Sequence, residues 1–77
     1  MENNIVKEYI NSIDNCLDKY KSSNGKLLKN IIEGEILGIY ESIIILGKLN
    51  MISKDDRHKI SDYILKIQDE IKRLETI

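Results

Sequence analysis

The chain has 77 residues, one cysteine, no proline, tryptophan or phenylalanine, and 12 basic against 13 acidic side chains. A chain of that length forms one domain and buries only a little more than about 60% of its unfolded surface, so its own core leaves it marginally stable. A lone Cys16 excludes an internal disulfide, and no Cys/His set is present for a structural zinc, which leaves association with another chain as the stabilising device.

Charge is balanced along the chain as well as over it. Residues 1–22 carry three basic and four acidic side chains, residues 23–50 three and three, and residues 51–77 six and six. No segment forms the basic patch from which nucleic-acid binders draw most of their affinity. Met1-Glu2-Asn3-Asn4 lacks the basic region and apolar run of a signal peptide, and Glu2 stands where myristoylation requires glycine, so a cytoplasmic location is expected. The most apolar stretch, Ile31 to Leu49, is interrupted by Glu33, Glu35, Glu41 and Lys48 and is not expected to span a membrane. The abundance of Ile, Lys and Asn fits an AT-rich genome, such as that of a low-GC Gram-positive bacterium or its phage.

Three helical patterns separated by two short breaks predict an all-α fold, a small three-helix bundle or a helical hairpin plus an N-terminal helix, with helices at about 3–22, 26–48 and 54–76. In the first helix Ile5, Val6, Tyr9, Ile10, Ile13, Cys16, Leu17 and Tyr20 fall within an arc of roughly 140°, one core-facing stripe. Asn3 or Asn4 can cap its start, and Ser22-Ser23-Asn24-Gly25 can end it, since Asn and Gly tolerate the left-handed conformation that closes a helix.

The second helix, about Lys26 to Lys48, differs in kind. Its charges crowd into one sector, while apolar and small residues fill roughly 200° or more of its circumference. Ile36, Leu37, Ile39, Tyr40, Ile43, Ile44, Ile45 and Leu46 point in almost every direction, more than two neighbouring helices with one stripe each can cover. Such a helix is expected to share its surplus with another chain, because large exposed apolar patches mark interaction sites. Gly34, Gly38 and Ser42 recur every fourth residue and lie nearly in line. Each interior glycine costs about 1 kcal/mol against alanine, so the row asks for a close approach, either by another helix of this chain or by a second copy. The expected interface is therefore Gly34, Gly38, Ile39, Tyr40, Ser42, Ile43 and Ile44. Tyr40 stands at the edge of the surplus surface, where tyrosine is a frequent binding hot spot.

Leu46-Gly47-Lys48-Leu49-Asn50-Met51-Ile52-Ser53 reads as a helix end, a tight turn with buried Leu49 and Ile52, and a new cap, so the second and third helices should form an antiparallel hairpin. Ser53 can cap the third helix, with Asp55 and Asp56 at the positive end of its dipole. Ile60, Ile64, Ile67, Ile71 and Leu74 follow at spacings of four, three, four and three, a heptad-like seam from which Leu65 points away.

Chemistry-bearing residues are few. His58 lies four residues before Asp62 and three after Asp55, but a metal needs three or four convergent ligands and a general base needs a nucleophile, and neither is marked in the chain. Cys16 sits on an apolar stripe with no CxxC motif, where a thiol packs as a small hydrophobe. No glycine-rich phosphate loop occurs. The expectation is a non-enzyme without metal or cofactor: a small regulator or inhibitor that pairs with its own copy and occludes or sequesters a larger, unidentified protein, binding neither nucleic acid nor membrane. Among organisms of this composition such roles fall to phage-encoded inhibitors of host defence, to bacteriocin-immunity helical bundles and to small regulators that jam kinases. A DNA-binding regulator is the alternative, since the second and third helices and their short turn have the outline of a helix-turn-helix. Against it, Asp55 and Asp56 stand where a recognition helix wants Arg, Asn or Gln.

Overall fold

The computed structural model describes residues 4–22 and 29–75, and these are almost wholly helical, with no strand among them. Helix α1 runs Asn4–Ser22, α2 Lys29–Lys48 and α3 Lys54–Glu75, and each packs on the other two. The Asn3 or Asn4 cap, the Ser22-to-Gly25 stop and the start of the second helix at Lys26 fall on side chains or segments outside the described residues.

Neighbours across the helix pairs set the directions. Tyr9 meets Ser42 while Lys19 meets Glu35, so α1 and α2 run antiparallel. Gly47 lies against Arg57, and Leu37 and Tyr40 line a notch with Ile64 and Leu65, so α2 and α3 are antiparallel too. One core lies between the three helices. Ile13, Cys16 and Tyr20 come from α1, Ile32, Ile36 and Ile43 from α2, and Ile60, Ile64, Ile67 and Ile71 from α3, with Ile52 closing one end. The heptad-like spacing of α3 is thus the spacing of its buried face, and Leu74 packs at its margin. Fully burying an Ile side chain stabilises by about 1.5–3 kcal/mol, so these eleven residues supply most of the folding drive.

The hairpin connection keeps the expected end of the second helix at Lys48 and departs from the expected turn at Leu49. The helix continues to Lys48, Leu49 still donates its N–H to the Ile45 carbonyl at 3.0 Å, and it is Asn50 that takes the left-handed conformation, at φ 58°. Asn50 N–H then bonds Gly47 O at 3.1 Å and Met51 N–H bonds Leu46 O at 2.9 Å, the paired hydrogen bonds of a Schellman stop. Because Leu49 keeps the helical register, it lies on the side of Ile45, four residues earlier, and is 62% exposed rather than buried. Ile52 is buried as expected. Ser53 caps α3: its Oγ accepts from the backbone N–H of Asp56 at 3.1 Å. Gly47 has another use, since a Cβ there would stand 2.8 Å from Nη1 of Arg57, whose side chain lies across α2 at this point.

Candidate protein-binding surface

Within α2 the inward residues are Ile32, Ile36, Ile39, Ile43 and Leu46, spaced four, three, four and three like the seam of α3. This uses only part of the helix's apolar surface. Ile31, Leu37, Tyr40 and Ile45 remain 58%, 57%, 40% and 56% exposed, and Leu49 and Met51 in the following turn are open as well. Of the seven large hydrophobic residues exposed among the described ones, six therefore lie between positions 31 and 51, and the seventh, Leu65, borders Leu37 and Tyr40 across the α2–α3 groove. A side chain of this size left open offers on the order of 100 Å² of apolar surface, so a group of three or four presents about 300–400 Å², within the ~300–600 Å² of the largest patch on a typical monomer.

The surface has two parts. On the outer side, Ile31 and Ile45 stand seven residues either side of Gly38, with Gly34 between and Leu49 continuing the line. Gly34 and Gly38 are exposed, and a Cβ at either would meet no atom within 4 Å. Among the described residues no helix of the same chain closes on Gly34 or Gly38, whereas Ser42, the third member of the row, is met by Tyr9 of α1. Facing α3, a notch of about 280 Å³ has Ile64 at its floor and Leu37, Tyr40 and Leu65 around it, with Ser61 and Gln68 supplying polar edges.

The predicted interface residues divide accordingly. Gly34, Gly38 and Tyr40 lie at the surface; Ile44 is half-buried; Ile39 packs against the core. Ser42 is half-buried and its hydroxyl is 2.5 Å from that of Tyr9, which ties α2 to α1. Ile43 is wholly buried and serves the chain's own core, because its direction on α2 is that of Ile32 and Ile36. Reasoning from sequence missed Ile31, Leu37, Ile45, Leu49 and Met51 as surface members. The signal for the outer line was present in the seven-residue spacing of Ile31, Gly38 and Ile45.

Elsewhere the side chains serve the fold. Tyr63 donates its hydroxyl to Asp14, joining α3 to α1, and this bond, with help from burial and from the carboxylate's charge, holds the phenol above its ordinary pKa. Lys19 Nζ lies 3.2 Å from Glu35 Oε2 on the α1–α2 rim. Cys16 is 4% exposed, and burial pushes its thiol pKa up; the Glu35 carboxylate acts in the same direction and Lys19 opposes it. A thiol so held is a poor nucleophile. His58, Asp55 and Asp62 are exposed, and among the described residues no three His, Cys, Asp or Glu side chains gather to hold a metal ion. No described helix is long and apolar enough to cross a membrane. Comparison with protein-family models, with curated proteins and with solved structures finds no match.

Proposed function

We propose that the chain is a non-enzymatic protein-binding module, a small regulator or inhibitor that pairs with its own copy and occludes or sequesters a larger protein. The observation that carries this reading is the concentration of open apolar side chains on one helix and its turn, Ile31 to Met51, while no large apolar side chain of α1 is exposed. Apolar surface left in water on a chain this small weakens solubility without helping its fold, and a bound protein surface removes that cost. The notch framed by Leu37, Tyr40 and Leu65 suits an apolar side chain from the larger partner, since it joins an aromatic rim to a few polar edges. The near-balanced charge favours contact by burial over long-range steering to a polyanion.

Affinity capture from the native host tests the reading. The wild-type chain should retain a larger protein that Leu37→Lys or Leu65→Lys loses, while His58→Ala and Cys16→Ser keep it. Capture indifferent to both notch substitutions, or salt-sensitive binding to duplex DNA in place of a protein, contradicts it.

A further inference from the structure

We propose that the groove between α2 and α3 receives an amphipathic helix of another protein, one that carries apolar side chains and, a turn further on, a cationic one. This rests on the protein-binding reading above and gives the partner a chemistry. The notch at Leu37, Tyr40 and Leu65 is only one end of the groove. Past Leu65 and Gln68, which line both parts, a second hollow of about 480 Å³ runs on between Glu33 of α2 and Asp69 of α3 to Lys29 and Lys72. The core itself is its floor, with Ile36 and Ile71 beneath this hollow as Ile64 is beneath the notch. From Tyr40 to Lys29 the groove follows about 16 Å of α2, three helical turns.

Charge along the groove selects the occupant. The antiparallel register that sets Leu37 beside Leu65 also brings Glu33 level with Asp69 and Lys29 level with Lys72. Like charges therefore face each other across the hollow, first two carboxylates and then two ammonium groups. Among the described residues neither Glu33 nor Asp69 enters an ion pair or a side-chain hydrogen bond. Two facing carboxylates repel each other, and both attract a cation set between them, for which an arginine has donors enough to serve the two. Leu37 and Glu33 are four residues apart, about 6 Å along α2, close to the 5.4 Å pitch of a helix laid in the groove. A residue one turn further along that helix comes to Lys72, where an acidic side chain fits. A helix suits the notch because it satisfies its own backbone groups, whereas an extended strand would bring unpaired N–H and C=O groups over Leu37, Ile64 and Leu65. A second copy offers the wrong charge. Ile31, Leu37 and Leu65 are each followed four residues on by an acidic side chain, and Ile45 is followed by Lys48, where α2 stops.

Fluorescence anisotropy of two labelled, helix-stapled peptides with the full-length chain tests the proposal. The matched peptide carries two leucines a turn apart, then an arginine one turn on and a glutamate a turn beyond; the control exchanges the arginine and the glutamate. The wild-type chain should bind the matched peptide about tenfold more tightly than the control, and Leu37→Lys should bind neither. Glu33→Lys combined with Asp69→Lys should reverse the preference, and Glu33→Gln combined with Asp69→Asn should erase it. Both positions are exposed, so the variants should fold, and circular dichroism checks that they do. Equal binding of the two peptides, a preference that the double variants leave unchanged, or no binding by the wild-type chain overturns the proposal. Capture of a native partner that is lost on Leu37→Lys yet indifferent to Glu33→Lys with Asp69→Lys also overturns it, and leaves the protein-binding reading standing. The expected peptide preference beside native capture that ignores Leu37→Lys and Leu65→Lys upholds the chemistry of the groove and overturns the notch as that partner's site.

Discussion

Helices α2 and α3 carry the same inward seam and differ in what lies outside it. Ile32, Ile36, Ile39, Ile43 and Leu46 repeat the spacing of Ile60, Ile64, Ile67, Ile71 and Leu74, and both sets build one core. Around that seam α3 exposes one large apolar side chain, Leu65, whereas α2 adds Ile31 and Ile45 on its outer side and Leu37 and Tyr40 along the groove with α3. The bundle needs only the first seam. The second set of apolar side chains stays 40–58% exposed in the single chain, which is the physical ground for reading it as a surface that works by being covered.

The sharpest way to break this contrast is to truncate neighbouring isoleucines of α2. Ile43→Ala removes a fully buried side chain and should cost about 2–5 kcal/mol in denaturant unfolding, whereas Ile45→Ala, two residues on, should leave single-chain stability nearly unchanged. Equal losses at the two positions would erase the distinction between inner and outer faces. Next in size is the bond that docks α3 on α1. Tyr63→Phe should cost about 1.5 kcal/mol at neutral pH, the range of a hydrogen bond to a charged acceptor. The folded-state pKa of Tyr63 is raised above its ordinary value of 10.0, so this contribution is complete below about pH 10 and is lost as pH rises through the raised value. The gap between wild type and Tyr63→Phe should therefore close in alkaline unfolding titrations; a gap that widens there would contradict the assignment.

The smallest effect has an opposite sign in two assays. With nothing within 4 Å of a Cβ at either position, Gly34→Ala and Gly38→Ala should each stabilise the single chain by just under about 1 kcal/mol through helix propensity. Gly38→Ala should at the same time weaken pairing, because it adds bulk to the open face of α2 that the proposed second copy would cover. Destabilised monomers would mean that the glycines are needed within the chain.

Where one apolar seam stood alone, the sequence was readable to the residue. The α3 spacing, the Ser53 cap, the exposed Leu65 and the α1 stripe apart from Ile10 reappear in the fold, since each follows from helical period and local hydrogen bonding. Reading failed where two patterns overlap on α2. Ile43, Ile44, Ile45 and Leu46 are consecutive, and composition alone does not say which of them faces inward; docking against α1 and α3 makes that choice and buries Ile43. Leu49 was misplaced because it keeps the helical register up to the left-handed Asn50, which carries it to the outer side with Ile45. The Tyr9–Ser42 and Tyr63–Asp14 contacts join residues 33 and 49 positions apart and leave no local trace.

Sedimentation equilibrium of the wild-type chain beside Ile45→Lys bears most directly on the claim that the outer face of α2 exists to be covered. The account predicts a concentration-dependent dimer for the wild type and an equally helical, monomeric Ile45→Lys. A wild type that remains monomeric, or an Ile45→Lys variant that still pairs, would contradict it.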